Sequence, residues 1–191
     1  IRSDYRVATV PLLTDVDTET WTDAGKAILP QFRLSLDADF HHEEDESTDD
    51  IPIMPGGIFA ISRRWWDELE GYSDTMLGWG GENIDLSLRI WRCGGAIKVV
   101  RTTAVAHMWR TASDPRTWAP YKVEEREVIR NRAIAAHAHF GEHWEKLTSL
   151  PGFEEFKSGP PNTSKIEGMM NRLECHSFDW YLQRFKVASS R

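Results

Sequence analysis

Residues 78–83 combine side chains that suit the binding of a sugar. The segment reads Gly-Trp-Gly-Gly-Glu-Asn, so its glycines allow close backbone approach and Trp79 offers a flat apolar face. Glu82 and Asn83 add acceptors and donors for the hydroxyls of such a ligand. The alternative is structural: the glycines form a turn, Trp79 fills the core, and the charge of Glu82 interacts favourably with a helix N-terminus.

A second group of candidate residues lies at 107–110, where the sequence reads His-Met-Trp-Arg after a candidate strand. Active sites of α/β proteins lie at the carboxyl ends of strands. The imidazole of His107 could bind a divalent metal, and the guanidinium of Arg110 could bind phosphate oxygens. A single histidine is not a metal site, so His107 taken alone fits a core or hydrogen-bonded surface histidine better.

Three other sequence features resemble known functional motifs. The first two are predicted to bind no metal ion. Asp37-Ala38-Asp39 resembles the Asp-x-Asp motif of many glycosyltransferases, but no buried strand leads into it. His137, His139 and His143 lie in a helical pattern whose geometry prevents the three rings from meeting at one ion. A tripeptide at 162–164, Asn-Thr-Ser, fits the N-glycosylation acceptor pattern, which matters only in a secretory protein.

Strand and helix patterns alternate along the chain, which favours an α/β fold. Strands are predicted at 5–16, at 51–61 with an interruption at Gly56 and Gly57, and at 96–100. Helices are predicted at 63–70, from 83 or 85 to the Gly-Gly pair at 94–95, at 122–147 and at 169–185, and a loop is predicted at 148–168.

The composition favours one ordinary globular domain over residues 1–191. The chain carries 23 basic and 30 acidic residues, a net charge of -7, which disfavours a nucleic-acid binder. Much of the excess lies in a run without Lys or Arg, predicted to be a solvated acidic loop at 36–50. No apolar run approaches the roughly 18 residues that a membrane-spanning helix needs.

Segments spread in order over nearly the whole sequence resemble the polypeptide N-acetylgalactosaminyltransferases, which start mucin-type O-glycosylation. Galactosyltransferases share a similar Trp-Gly-Gly-Glu loop but lack the Trp-x-Cys-Gly-Gly that follows it here. The matching segments are Pro-Leu-Leu-Thr-Asp-Val at 11–16, Met-Pro-Gly-Gly-Ile-Phe at 54–59, Trp-Gly-Gly-Glu-Asn at 79–83, Ser-Leu-Arg-Ile-Trp-Arg-Cys-Gly-Gly at 87–95, Ala-His-Met-Trp-Arg at 106–110, Arg-Asn-Arg-Ala at 130–133 and Phe-Asp-Trp-Tyr-Leu at 178–182.

The resemblance implies the C-terminal half of a catalytic domain of GT-A type, with an incomplete mixed sheet flanked by helices. The implied reaction moves N-acetylgalactosamine from its UDP donor to a Ser or Thr hydroxyl of a protein, with retention at the anomeric carbon. Trp79, Glu82 and Asn83 would hold the sugar hydroxyls and shape the reaction centre. Gly56 and Gly57 would face the donor sugar.

The resemblance also implies roles at the strand end. Arg110 would contact phosphate, Trp109 would lie near the acceptor peptide, and His107 would be the third protein ligand of Mn²⁺. The other two ligands, an Asp-x-His unit, belong upstream of this chain, so we expect the isolated piece to be inactive. We also expect its sheet edge to be covered by the missing N-terminal half or by self-association.

The implied catalytic loop, 111–121, departs from the family pattern. It carries Ser113 and Pro115 where relatives usually have a His and a Tyr. This departure keeps open an alternative, a non-catalytic relative that binds a sugar or glycopeptide.

Two cysteines permit one bridge or two free thiols, and counting does not choose between them. The resemblance implies a bridge between Cys93 and Cys175, and with it an oxidising compartment, the Golgi lumen. It further implies a type II membrane protein at full length, with a lectin-like domain beyond the end of this chain.

Overall fold

The computed structural model describes residues 4–109, 114–118 and 122–187. Within this range three strands come first, two helices and a fourth strand follow, and the remaining elements are all helical, including two 3-10 turns at Gly141–His143 and Glu154–Lys157. The elements in chain order are β1 (Val7–Asp15), β2 (Phe32–Leu34), β3 (Phe40–His42), α1 (Arg63–Glu68), α2 (Glu82–Arg92), β4 (Ala96–His107), α3 (Pro115–Trp118), α4 (Glu125–His139), α5 (Trp144–Leu147), α6 (Ser164–Arg172) and α7 (Phe178–Phe185).

The main sheet pairs β1 with β4 in parallel. The register shifts after Pro11, so that Leu12 faces Ala104 and residues 101–103 form a bulge in β4. Beyond the bulge the strands pair again, and Asp15 and His107 end side by side at the carboxyl edge of the sheet. The predicted strands at 5–16 and 96–100 are therefore confirmed, and β4 continues up to the histidine.

Helix α2 is the central element of the core, and its residues from Asn83 to Trp91 are all buried. It packs against α4, α7 and β4. Its side chains also hold the segment beside it: Ser87 Oγ accepts from the Met54 N–H at 3.1 Å, and Trp91 Nε1 donates to the Ile51 carbonyl at 2.9 Å. The predicted helix is thus confirmed, but it begins at Glu82 behind a glycine cap, Gly81, rather than at an Asn or Asp cap.

The predicted strand at 51–61 is wrong. The segment makes only isolated bridges, Phe32 with Ile53 and Thr9 with Ala60. Pro52 and Pro55 lack the N–H that a strand ladder needs, and Gly56 has a φ of +83°, outside the range of regular strand geometry. The segment is nonetheless buried from residue 51 to residue 54, which explains why its apolar pattern imitated a strand.

Three predictions in the C-terminal third also need correction. The helix predicted at 122–147 ends at His139, because Gly141 has a φ of +54° and a 3-10 turn follows. The loop predicted at 148–168 contains a 3-10 turn and the first turn of α6, which begins at Ser164 once the prolines are passed. The single helix predicted at 169–185 is two helices, because residues 173–177 leave helical geometry before Ser177 caps α7.

The acidic segment at 36–50 is not simply a solvated loop, because it contains β3. Several of its acids pair with bases from distant elements: Arg101 with Asp49, Arg184 with Asp50, and Arg132 with Asp39 at 2.7, 2.9 and 3.3 Å respectively. The segment is therefore held to the fold by ion pairs with residues distant in sequence. Arginines outside the acidic segment partly neutralise its negative charge.

Helix α1 follows its sequence signals. The Ser62 side chain caps it by accepting from the Trp65 N–H at 3.1 Å, and Gly71 follows its end with a φ of +61°. Among the residues that the structure describes, no helix has both the length and the apolar composition needed to cross a bilayer.

Candidate functional site

The N-terminus of α2 meets the glycine pair of the preceding segment. A Cβ on Gly56 would lie 2.8 Å from the Asn83 Cβ and 3.6 Å from Glu82 Oε1. Asn83 is buried, and its side-chain amide donates to the Met54 carbonyl at 3.1 Å. These contacts hold Gly56 against the start of the helix, so a glycine is required both by the positive φ and by the absence of space. We call Gly56, Tyr72, Glu82 and Asn83 the helix-start cluster.

Tyr72 completes this cluster, because its hydroxyl donates to the Gly56 carbonyl at 2.8 Å. Burial of the ring and the nearby charge of Glu82 raise the Tyr72 pKa to about 12. The hydroxyl therefore stays protonated at any physiological pH and keeps its role as donor. Glu82 itself is half-buried in the first turn of α2, where a carboxylate is stabilised by the helix dipole.

The glycine-rich turn before α2 is held by helix α4. Asn131 on α4 accepts from the Leu77 N–H at 3.2 Å and donates to the Leu77 carbonyl at 2.6 Å. A Cβ on Gly81 would lie 2.7 Å from the Asn131 carbonyl carbon, and one on Gly78 would collide with Glu127. The glycines thus form a turn, as the structural alternative predicted, and the turn also carries an indole that is 45% exposed, Trp79. Trp79 does not fill the core.

His107 lies in a second group at the end of the parallel strands. Its ring lies 4.1 Å from the Trp109 ring, centroid to centroid, and Trp109 Nε1 donates to Asp15 Oδ1 at 2.8 Å. The His107 carbonyl accepts from the Val16 N–H at 3.1 Å, which fixes its backbone. We call Asp15, His107 and Trp109 the strand-end cluster.

The His107 ring suits a metal ligand. Its Nδ1 is buried and has no hydrogen-bond partner among the residues that the structure describes. Burial lowers the pKa of the imidazole, and Asp15 opposes this only partly, so the ring is neutral near pH 7. A neutral imidazole with an unpaired nitrogen fits one position in the coordination sphere of Mn²⁺, and further ligands would have to come from elsewhere.

Two other residues predicted for the site are Gly57 and Arg110. A Cβ on Gly57 would meet nothing within 4 Å, so its backbone borders open space. Arg110 lies outside the described residues, as do residues 111–113 and 119–121 of the catalytic-loop region. Within that region Pro115 begins the short helix α3, which Asp114 ties to the β1 end by accepting from the Thr18 hydroxyl at 2.9 Å.

A network of buried charges fixes the orientation of α2. The Asp85 carboxylate accepts from Arg89 Nη2 at 2.6 Å and from His139 Nε2 at 2.9 Å, and Arg92 Nη1 donates to His139 Nδ1 at 2.7 Å. Because an arginine donates to Nδ1, the proton of the neutral ring is on Nε2. Burial lowers the His139 pKa to about 4, which agrees with a neutral ring.

The three histidines of the long helical pattern point to different partners, as predicted. His137 Nδ1 lies 2.8 Å from Thr163 Oγ1, His139 belongs to the Asp85 network, and His143 Nε2 lies 3.6 Å from Asp179 Oδ1. Glu142 joins His143 and Asp179 in the one group of three metal-compatible side chains that the described residues contain, two of them exposed.

Sequence reasoning gave no role to Tyr72, Asp15 or Asn131. Tyr72 follows the helix-ending Gly71 and carries no motif, so no signal marked it. Asp15 and Asn131 both lie inside segments that carry the family resemblance, and their position there was the available signal. The disulfide that the resemblance implied is present and joins Cys93 to Cys175.

Comparisons with known proteins agree with this arrangement. A family model described as the N-terminal domain of galactosyltransferase matches residues 42–111, the stretch that includes the Trp-Gly-Gly-Glu loop. The chain is 32% identical over 199 residues to a putative polypeptide N-acetylgalactosaminyltransferase 10 of Caenorhabditis briggsae, covering 96% of this chain and 30% of the relative. It is 30% identical over 202 residues to the mouse polypeptide N-acetylgalactosaminyltransferase 4, covering 96% of this chain and 32% of that protein.

A solved structure shows the same fold. A crystal structure described as GalNAc-T7 with UDP, GalNAc and Mn²⁺ superposes with a TM-score of 0.79 at 21% identity, covering 96% of this chain and 36% of that one. This confirms the predicted α/β architecture as part of a GT-A type fold. The chain spans about a third of the length of the curated relatives it matches. Over that span, it belongs to the polypeptide N-acetylgalactosaminyltransferase family.

Proposed function

We propose that this chain forms the sugar-binding side of an enzyme that transfers N-acetylgalactosamine from UDP to Ser or Thr hydroxyls of proteins, with retention at the anomeric carbon. The observation that carries the proposal is the helix-start cluster, in which Gly56 lies close to Asn83 and Glu82. The next residue, Gly57, has free space at its Cβ position. Together with the exposed Trp79, these groups offer the apolar face and the few fixed polar groups that recognise a hexose.

Each part of the helix-start cluster has a task in this proposal. The Glu82 carboxylate accepts hydrogen bonds from sugar hydroxyls, and it lies in the first turn of α2, where the helix dipole favours a negative charge. Asn83 and Tyr72 touch the Met54 and Gly56 carbonyls, so they set the path of the glycine pair along which the sugar lies. Trp79 covers one face of the ring and helps to keep water from the anomeric carbon.

The strand-end cluster serves the leaving group. In the transfer, the bond from the anomeric carbon to the diphosphate breaks, and the electron pair leaves on UDP. Mn²⁺, when bound, would supply positive charge that stabilises the departing diphosphate. His107 would hold the metal through its neutral imidazole, while the Trp109 indole packs against the ring and is itself held by Asp15. Arg110 adds a guanidinium to the phosphates, and Trp109 borders the acceptor peptide.

We further propose that transfer requires residues outside this chain. His107 supplies one imidazole, and the remaining metal ligands and the uridine site belong to a preceding half-domain. Residues 1–191 form the C-terminal half of the catalytic domain of the complete protein, in which the exposed stretch of β4 at 101–104 contacts the preceding half. The disulfide supports folding in an oxidising compartment, which for this proposal is the Golgi lumen.

The decisive experiment uses the complete protein with UDP-N-acetylgalactosamine, Mn²⁺ and a Ser/Thr-containing peptide. We expect release of UDP and addition of one N-acetylgalactosamine to the peptide. Replacing His107 with Ala is expected to reduce turnover about 100-fold or more and to raise the Mn²⁺ concentration for half activity. His41→Ala is the matched control, because His41 is an exposed histidine of β3 away from both clusters. Full activity of His107→Ala would refute the metal role.

A second candidate function is the non-catalytic binding of a sugar or glycopeptide. The observation that favours it is Pro115, which begins helix α3 where the family resemblance calls for a Tyr. This alternative predicts that a glycopeptide or UDP-sugar quenches Trp79 fluorescence in the complete protein while no sugar is transferred. Detection of glycosylated product together with UDP excludes it.

A further inference from the structure

The Asn-Thr-Ser tripeptide at 162–164 has no part in the proposed transfer site, yet it fits the acceptor pattern for N-glycosylation. The chain contains four asparagines, Asn83, Asn131, Asn162 and Asn171, and only Asn162 is followed two positions later by Ser or Thr. The intervening residue is Thr163, not the proline that would prevent recognition.

The three residues of the tripeptide are oriented in alternation. Asn162 and Ser164 are exposed, whereas Thr163 between them is only 3% exposed. The Thr163 hydroxyl donates to Glu167 and accepts from His137 Nδ1 at 2.8 Å, so the middle residue is anchored to α4 and α6. A group attached to Asn162 would therefore extend into solvent without disturbing the core.

The side chains of the outer two residues are already in contact. Asn162 Oδ1 accepts from the Ser164 N–H at 3.1 Å and from the Ser164 hydroxyl at 2.8 Å. These bonds draw electron density toward the carbonyl oxygen of the amide. Asn162 Nδ2 has no hydrogen-bond partner among the described residues, so the nitrogen that would carry a glycan is accessible.

We propose that Asn162 is an N-glycosylation site. In the reaction, a membrane-bound oligosaccharyltransferase joins Asn162 Nδ2 to the anomeric carbon of a lipid-linked oligosaccharide diphosphate. The bond from that carbon to the diphosphate breaks, the lipid diphosphate leaves with the electron pair, and the amide nitrogen loses a proton to base. The proposal rests on passage through an oxidising secretory compartment, which the Cys93–Cys175 disulfide supports, and not on the transfer activity proposed above.

The test is expression of the complete protein in a eukaryotic secretory host, followed by digestion with peptide N-glycosidase in ¹⁸O-water. We expect the tryptic peptide spanning residues 158–165 to lose a glycan and to carry an ¹⁸O-labelled Asp at position 162. A glycan on the Thr163 or Ser164 hydroxyl would survive this enzyme, so the two kinds of modification are distinguished. An unmodified 158–165 peptide, beside a glycosylated secreted reference protein from the same cells, would overturn the proposal.

Three variants make the test independent of folding failure. Asn162→Gln and Ser164→Ala should both abolish the modification, the second while leaving the asparagine in place. Ser164→Thr keeps a hydroxyl at the third position and should retain the glycan. All three residue changes lie outside both clusters, so the variants are expected to keep wild-type turnover. Retention of the glycan at position 162 in Ser164→Ala would contradict the proposed recognition.

Discussion

At the N-terminal end of helix α2 the Glu82 carboxylate lies beside Gly56, whereas the C-terminal end of the helix is held by hydrogen bonds and a disulfide. At the N-terminal end the cap is Gly81, which makes no side-chain hydrogen bond, and the adjacent Trp79 is 45% exposed. At the other end Arg92 donates to the His176 carbonyl at 2.8 Å and to His139, and Cys93 is joined to Cys175.

This contrast separates positioning from binding along one helix. The middle and the C-terminal end of α2 have their charges satisfied by protein groups, so substitutions there should act on stability. At the N-terminal end, Glu82 is half-buried with its Oε1 3.6 Å from the Cβ position of Gly56, and a Cβ on the next residue, Gly57, would meet nothing within 4 Å. Substitutions there should act on ligand binding and turnover. Four predictions test whether the two effects separate in this way.

Asp85→Asn should have the largest effect on stability. The residue is fully buried and neutralises Arg89, whose side chain is only 2% exposed. An amide in its place leaves a buried guanidinium without a counter-charge, which costs about 3–5 kcal/mol in the free energy of unfolding. Urea denaturation followed by circular dichroism measures this loss.

Asp67→Asn is the matched control, because Arg63 and Asp67 are also an Asp–Arg pair four residues apart on a helix. Their N···O distance is 2.7 Å, but the Arg63 side chain is 87% exposed. An exposed pair of this kind contributes about 0.5 kcal/mol or less. If both variants lost the same free energy of unfolding, burial would not be what makes the Asp85–Arg89 ion pair important for stability.

Removing the disulfide is the next largest expected effect. The bond joins residues 82 apart in sequence, so it restricts a long loop of the unfolded chain. Replacing Cys93 and Cys175 with Ser should lower the free energy of unfolding by about 2–4 kcal/mol. The affinity for UDP-N-acetylgalactosamine should stay within about two-fold of wild type at temperatures where the variant is folded, because Cys93 lies at the opposite end of α2 from Glu82. A large loss of affinity in the folded variant would contradict the separation of the two ends.

The sequence predicted α2 more accurately than the elements around it, and the reason is physical. Ile84, Leu88 and Trp91 repeat at helical spacing, and the glycines at 94 and 95 stop the helix, so all the information is local. Within the segment at 51–61, residues 51–54 are buried beside this helix, through Ser87 and Trp91, with only isolated bridges to strands. Such long-range burial produces the same apolar composition as a strand, and a single sequence does not separate the two.

The candidate site was predicted in parts. The motif residues Gly56, Glu82 and Asn83 lie together in the structure, and the spacing of the helix start accounts for two of them. Tyr72 comes from a loop between α1 and α2, and only the fold brings its hydroxyl to the Gly56 carbonyl. The pairing of Asp15 with His107 depends on a register shift in β4. No local sequence pattern predicts this shift.

Glu82→Gln tests the N-terminal end directly. The change keeps the size of the side chain and removes the negative charge that the proposed site directs at sugar hydroxyls. We expect turnover by the complete protein to fall about 100-fold, equivalent to about 3 kcal/mol of transition-state stabilisation. The melting temperature should remain within about 2 °C of wild type, because the carboxylate is half-buried and makes no ion pair with a buried base in the part of the chain that the structure describes.

Glu145→Gln is the control for this variant, since Glu145 is an exposed glutamate on α5 and lies in neither cluster. Its turnover and melting temperature should both match the wild type. If Glu82→Gln kept full turnover but lost stability, the N-terminal end of α2 would be a structural element like the C-terminal end.

The smallest expected effect is the pH dependence of stability that arises from His139. In the folded protein this imidazole has a pKa of about 4, below its ordinary value of 6.5, because it is buried and lies near two arginines, Arg92 and Arg89. The hydrogen bond and the negative charge of Asp85 raise the pKa and oppose this effect only partly. Between pH 6.5 and about 4, His139 is therefore protonated in the unfolded chain but not in the folded chain. Because protonation favours the unfolded state, the free energy of unfolding decreases as the pH falls through this window. Between pH 7 and pH 5.5 the loss from this residue is about 1 kcal/mol.

The contribution of His139 has to be measured as the difference between wild type and a His139 variant. His107 also has a lowered pKa and changes stability with pH in the same direction. We expect His139→Gln to be less stable than wild type at pH 7, since Asp85 and Arg92 lose their geometry with the ring. The difference in free energy of unfolding between wild type and His139→Gln should decrease as the pH is lowered toward 5, because only the wild type has this histidine to protonate on unfolding. A gap that widens on acidification would mean that the folded ring is protonated, with a raised pKa and a charge-paired role beside Asp85.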